Sequence, residues 1–276
     1  MERPARHSPS AGASSAKEKY VTISVDDGHP TDLRTLELLQ EHNLNATFYI
    51  PCANAERVVM TPNQIREIDR YCEIGGHTLN HVRLTKIAPD EAWREIADGK
   101  KSMEDTLGHH VISFCYPGGK FNRRIARQVA EAGFLAARTC MFFLNDFPAD
   151  PFRWGVSAYA NTYPSYVQVR HALLEFNFEG CYNYLTTFKA RSKWAAQFVC
   201  ALDRVSRQGG IAHLYFHSWE IDQNGEWDEL RAVLKFISNY SLTSVTNGHL
   251  YRRWYEQRGL PVKAHGVELV SSPPQA

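Results

Sequence analysis

An α/β fold, with a parallel sheet covered by helices, is predicted by two observations on the chain. Short β-branched or apolar runs alternate with amphipathic stretches from about residue 20 to about residue 252. The polar residues with the most chemistry in them, Asp26-Asp27, His77, Tyr116-Pro117 and His217, each stand just after a predicted strand. Strand–helix repetition makes parallel sheets, and ligands of such folds gather at the carboxyl ends of the strands.

Val21–Val25 is β-branched and predicts the first strand. Residues 31–42 place Leu33, Leu36, Leu38 and Leu39 at helical spacing behind a Thr31-Asp32 start signal. Ala46–Ile50 predicts a second strand, stopped by Pro51. Thr61-Pro62 opens a helix to about Cys72, with proline in its first turn. Ile74 leads through Gly75-Gly76 to His77, and Pro89 begins a helix to about Leu107. Val111–Cys115 predicts a strand ending at Tyr116-Pro117-Gly118-Gly119, followed by a helix over 123–132 and a short strand over 134–137. Residues 139–187 are aromatic, poorly patterned and loop-rich, and are a candidate substrate rim. A helix over 192–207, a strand over 211–216, a helix over 227–240 and a last strand over 242–245 complete the pattern.

A chain of 276 residues is long enough for one large core without requiring a second domain. The expected organisation is an N-terminal tail over 1–19, a catalytic domain over 20–255 and a C-terminal tail over 256–276. A net charge of +1 lacks the basic footprint that nucleic-acid binding requires. Six cysteines, at 52, 72, 115, 140, 181 and 200, form no CxxC pair and read as buried free thiols. Residues 1–19 contain no signal-peptide apolar run, and no segment approaches the roughly 18 apolar residues of a membrane span. The expectation is a cytoplasmic protein with no transmembrane segment. The sequence leaves the oligomeric state open.

The functional signal is Asp26-Asp27-Gly28 together with Gly76-His77-Thr78-Leu79-Asn80-His81. One Asp and two His make a three-ligand set with a position left open, which is the catalytic rather than the structural pattern for zinc. The second Asp then stands where a general base is wanted. Taken alone, Asp-Asp-Gly is also a common turn, and His77 and His81 share a face only if their segment is helical. An Asp-His-His set suits Zn, and equally Co, Mn or Fe.

These motifs resemble those of the polysaccharide deacetylases, the NodB-homology domain of carbohydrate esterase family four. Its Thr-Phe-Asp-Asp-Gly motif is matched by Ser24-Val25-Asp26-Asp27-Gly28, and its His-Ser/Thr-x-x-His motif by His77–His81. The resemblance implies an irregular (β/α)7 barrel of the NodB-homology type, with Asp26 as general base and Asp27, His77 and His81 on the metal. Phe114–Gly119 is similar to the family's Arg-x-Pro-Tyr-Gly motif, which implies that the Tyr116 N–H helps bind the oxyanion. Cys115 stands where many members carry an Arg that orients the base; Arg153 is the expected substitute, with a surface salt bridge as its alternative. His213–Glu220 is similar to the last motif and makes His217 the general acid, a task suited to a group that titrates near neutrality. His213 reads as a core residue. Glu220 is a candidate orienter of His217, or a solvated side chain. Trp219, Tyr159 and Trp154 are candidates for the floor of a sugar site, or for core packing.

The resemblance implies a metal-dependent hydrolase that removes an N-acetyl group from an amino sugar in a glycan or glycan precursor. Two alternatives stand beside it: a deformylase of a lipid-linked amino sugar or an allantoin-type cyclic-amide hydrolase, and an inactive glycan-binding module. Without an export signal, a substrate inside the cell is expected.

Overall fold

A computed structural model describes residues 17–264 and 267–268. The expected N-terminal tail lies almost wholly outside the described residues, as does the end of the C-terminal one. The elements follow one another as β1 (Lys19–Asp26), α1 (Asp32–Glu41), β2 (Thr47–Ile50), α2 (Pro62–Asp69), β3 (Glu73–Gly76), α3 (Pro89–Leu107), β4 (Ser113–Cys115), α4 (Arg123–Glu131), β5 (Ala136–Arg138) and β6 (Ala158–Tyr159). Then come α5 (Ser165–Leu174), α6 (Phe178–Thr186), α7 (Trp194–Gln208), β7 (Gly210–Phe216), α8 (Ser218–Asn224), α9 (Trp227–Ile237), β8 (Thr243–Ser244), α10 (Asn247–Glu256) and a small hairpin, β9 (Lys263–Ala264) with β10 (Val267–Glu268).

Strands β1 to β7 form a curled, all-parallel sheet in the order β5-β4-β3-β2-β1-β7-β6, and β8 pairs beside the start of β1. The two edges meet. Trp154 bridges to Arg138 at the end of β5, while Ala158 and Tyr159 pair with β7. One extended segment thus joins both edges and closes the ring as the (β/α)7 expectation requires. The fold class agrees with that expectation.

The centre of the sheet is β1. Its Val21, Ile23 and Val25 are fully or almost fully buried, as a strand packed on both faces demands. Helices with one apolar face cover the outside: Leu36 and Leu39 of α1, Ile96 and Met103 of α3, and Phe198, Leu202 and Val205 of α7 all join one core. Thr61 caps α2 in a reciprocal capping box with Gln64, as the Thr-Pro start signal suggests.

Register decides what meets at the carboxyl end. Val25 lies opposite Phe216, so Asp26 and His217 follow side by side. Ile50 lies opposite Gly76 and Gly76 opposite Phe114, which brings His77 beside the ends of β2 and β4. Cys115 lies opposite Arg138.

Two expectations need correction. The strand expected over 134–137 runs instead over Ala136–Arg138, so it ends in an arginine. The stretch 139–187 is not merely loop: it holds the closing segment and the helices α5 and α6.

Candidate active site

Asp26 and Asp27 point to different partners because β1 ends between them. Asp26 closes the strand, whereas Asp27 adopts a left-handed backbone with φ 76°. Gly28 follows at φ 64°, where a Cβ would come within 2.6 Å of Ile50. Both carboxylates are buried.

Asp27 faces the histidines. Its Oδ1 lies 3.1 Å from His81 Nε2 and 3.7 Å from His77 Nε2. The segment carrying these histidines is a loop, not a helix, so their convergence does not come from helical spacing. Thr78 and His81 adopt φ of 70° and 56°, and this strained loop is held from outside. Glu95 accepts hydrogen bonds from the backbone and side chain of Asn80, and the tight passage over α3 needs glycine at Gly99, where a Cβ would meet Leu79 N at 2.7 Å.

The donor set fits a divalent metal. His77 Nδ1–H donates to the Cys115 carbonyl at 2.8 Å, which fixes the tautomer and leaves Nε2 with its lone pair. That Nε2 and Asp27 Oδ1 are both buried without a hydrogen-bond partner, a costly state unless something else binds there. Burial, the largest influence, holds His77 down at about 4 against the nearby carboxylates, so its imidazole is neutral at neutral pH. Burial pushes Asp27 up, but contact with His81 and the charges of His217 and His77 outweigh it and hold the carboxyl well below its ordinary range. Trp219 Nε1–H donates to Asp27 Oδ2 at 2.9 Å, so this tryptophan steadies the cluster. Asp27, His77 and His81 thus form one group that could hold the ion; Asp26, His77 and Cys115 converge as a second, but there Asp26 and Cys115 are already engaged by Arg138.

Asp26 has a different environment. Its Oδ2 accepts from Arg138 Nη2 and, at 3.5 Å, from the Cys115 thiol, while Oδ1 is buried and unpartnered. Arg138 is completely buried, stacked between Tyr215 at 4.2 Å and Tyr49 at 5.2 Å. Burial works against its charge; Asp26 and then Cys115 outweigh it and keep the guanidinium firmly protonated. The arginine missing at position 115 is therefore supplied by the neighbouring strand. Arg153, the expected substitute, is exposed and sits near Phe121 instead.

Tyr116 needs correction too. Its N–H donates to the Arg138 carbonyl at 3.2 Å, continuing the β4–β5 ladder, so it is already engaged. Its ring is buried against Phe121, and its hydroxyl donates to the Phe152 carbonyl at 3.2 Å. The position before the proline carries structure here, and no free oxyanion donor is found at it.

His217 stands across the mouth, with Nε2 3.8 Å from Asp27 Oδ2 and 3.1 Å from the Tyr215 hydroxyl. Its Nδ1–H donates to Glu220 Oε2 at 2.8 Å, and Glu220 is tied in turn to Tyr159 and Asn161. Glu220 is thus no solvated side chain. Burial disfavours imidazolium, but the Glu220 hydrogen bond and the Asp27 and Asp26 charges overcome it, and the His217 pKa rises above its ordinary value. Ser218 ties the loops at the ends of β1 and β7 together, donating to Asp32 and meeting Thr31 Oγ1 at 2.7 Å. His213 is buried and pairs with Ser24 Oγ at 2.8 Å, a core role as expected. Trp154 is buried against Tyr251 and Phe147 on the far side of the sheet closure and floors no site. Beside His81 a cleft of about 410 Å³ opens, lined by Asn54, Asn80, Arg83, Pro117 and Gly118.

Strand ends that gather a carboxylate–imidazole cluster and a separate His–Glu pair in one mouth define the class: an α/β barrel with a candidate metal site at the carboxyl ends of its strands. More particularly, residues 13–137 match the description of the polysaccharide deacetylase family. It is 30% identical over 147 residues to a peptidoglycan-N-acetylglucosamine deacetylase of Bacillus cereus, covering 52% of this chain and 66% of that protein. It is 26% identical over 114 residues to the peptidoglycan-N-acetylglucosamine deacetylase of Listeria monocytogenes, covering 40% of this chain but only 24% of that one. The chain therefore spans less than two thirds of the length of these relatives.

Among solved structures, the fold is similar to a family 4 acetyl xylan esterase from Clostridium thermocellum in complex with a cobalt ion (TM-score 0.55, 17% identity, 89% of this chain and 94% of that one). It is also similar to the peptidoglycan deacetylase PdaC from Bacillus subtilis (TM-score 0.52, 19% identity, 88% and 94%). At such identities the likeness speaks for the fold alone.

Proposed function

We propose that the protein is a metal-dependent amide hydrolase that removes an N-acetyl group from an amino sugar in a glycan or glycan precursor. The observation that carries this reading is the division of the Asp pair: Asp27 faces two imidazoles, while Asp26, one residue away, keeps a buried free oxygen beside them.

Asp27, His77 and His81 would hold one divalent ion, zinc by ligand type, with cobalt, manganese or iron able to take its place. When bound, the ion supplies a Lewis acid for the amide carbonyl and an acidified water. The residues of the chain do the rest. Arg138 and Cys115 fix Asp26 Oδ2, leaving Oδ1 to accept the proton of the attacking water. His217, protonated and aimed by Glu220, delivers a proton to the departing nitrogen, so that acetate and a free amine leave. Trp219 and Tyr159 both border His217 and supply aromatic faces to the mouth.

The test is acetate release from N-acetylated chito-oligosaccharide by metal-reconstituted protein. Release that depends on added divalent metal, and is lost in Asp26→Asn, supports the reading. Formate release from an N-formylated sugar, with no acetate released, would replace it by a deformylase. Absence of turnover on every amide, with tight glycan binding, would make the chain a binding module.

A further inference from the structure

Helices α5 and α6 invert the usual burial pattern. Phe176 between them is 77% exposed and Tyr166 is 73% exposed. Leu173, Leu174, Phe178, Tyr182 and Leu185 are each half exposed or more. The spacing is helical: Tyr166, Arg170 and Leu173-Leu174 recur along one side of α5, and Phe178, Tyr182 and Leu185 along one side of α6. The opposite sides bury Gln168 and Ala172 in α5, and Gly180 and Tyr184 in α6. Gln168 even spends its polar group inside, accepting from Gln197 at 2.6 Å. Soluble proteins rarely leave so many large apolar side chains of two consecutive helices uncovered without a use for them.

The surroundings choose the occupant. Arg170, Lys189, Arg191 and Lys193 are all exposed around this arm, against two acidic residues in 165–193, Glu175 and Glu179. Glu175 is already paired with Lys120. Apolar side chains beside an excess of cations match an anionic lipid surface. A two-fold contact with a second copy would set these cations against one another. A glycan would stack on the exposed rings, but the three leucines beside them offer it neither a ring face nor a hydrogen bond.

We infer that the α5–α6 arm is a membrane-surface anchor that inserts Phe176, Phe178 and the flanking leucines into an anionic bilayer, bringing the barrel mouth to an amino sugar held at that surface. The arm is linked to the site by packed rings: His171 of α5 meets Phe142 at 5.0 Å, Phe142 stacks on Tyr159 at 5.9 Å, and Tyr159 touches His217 at 5.7 Å. No helix among the described residues is long and apolar enough to cross a membrane, so the arm lies on the surface rather than spanning it. The lipid-held substrate rests on the deacetylase reading; the anchoring does not.

The experiment is co-sedimentation of the full chain with phosphatidylcholine vesicles, with and without phosphatidylglycerol. Binding is expected with the anionic vesicles and should weaken as salt rises. Phe176→Ser/Phe178→Ser should bind about tenfold or more weakly, and Lys189→Gln/Arg191→Gln should lose the salt-sensitive part. Acetate release from a soluble oligosaccharide should be unchanged in both variants. Failure of that release in the parent chain, with vesicle binding intact, would remove the deacetylase reading and leave the anchor standing. Equal sedimentation of parent and Phe variant would overturn the anchor. So would a dimer of the parent that the Phe variant abolishes without any vesicle binding, or capture by insoluble chitin that the variant loses.

Discussion

The barrel mouth and the α5–α6 arm break the same rule in opposite directions. The mouth buries charge: Asp26, Asp27 and Arg138 are all within 3% of complete burial. The arm exposes large apolar side chains over two consecutive helices. Folding alone selects against both, since charge is costly to bury and apolar surface costly to leave wet. In the mouth the cost is met by partners within the fold, Arg138 for Asp26 and the imidazoles for Asp27. In the arm no partner among the described residues meets it. The comparison teaches that the mouth is complete but for a small ion and a substrate, whereas the arm is complete only against something much larger.

The largest expected effects lie in the mouth. Asp26→Asn should cut turnover by roughly 10²–10⁴-fold while bound metal, measured by atomic absorption, stays near one equivalent per chain. Asp27→Asn should lose the metal itself. Equal metal loss in the two variants would erase the distinction between the carboxylates. His217→Ala should also fall by roughly 10²–10⁴-fold with metal retained; full activity would remove it from the reaction.

Next comes stability. Arg138→Met leaves Asp26 buried without its cation, and loss of one partner of such a pair costs about 3–5 kcal/mol. Urea denaturation should show it. Substitutions on the exposed stripe of the arm should change stability by about 0.5 kcal/mol or less. If Phe178→Ser cost as much as Arg138→Met, the arm would be core after all, and the contrast would collapse.

What the chain reveals in advance follows from locality. Asp26, Asp27, His77, His81 and His217 sit in short contiguous motifs at strand ends, so sequence alone points to them. Arg138 does not. It is 23 residues from Cys115, with α4 between them, and only the Cys115–Arg138 register carries it to Asp26. An arginine at the end of an apolar run was the available signal, but a strand placed over 134–137 ends one residue short of it. The Tyr116 N–H fails for a related reason. Motif position names the group, whereas the β4–β5 ladder decides whether its hydrogen is free. The histidine loop shows the same limit, because residues four apart met through left-handed turns rather than a helix. The arm was unreadable because α5 and α6 turn their apolar residues outwards, and periodicity does not say which side faces the core.

The smallest effect tests the finest detail of the mouth. Glu220 hydrogen bonds to His217 Nδ1 and is the strongest influence raising the imidazole against its burial. The acid form of His217 is therefore present below its raised folded-state pKa and is lost as pH rises through it. Activity should fall along an alkaline limb set by that loss. In Glu220→Gln the carboxylate charge goes while a hydrogen-bonding side chain of the same length remains. Burial then meets less opposition, the His217 pKa drops, and the alkaline limb should move to lower pH with only a modest change at the optimum. A pH profile of kcat/KM would show the shift. An unmoved limb with uniformly lower activity would mean that Glu220 only holds the α8 turn in place, through Tyr159 and Asn161, and does not tune the acid.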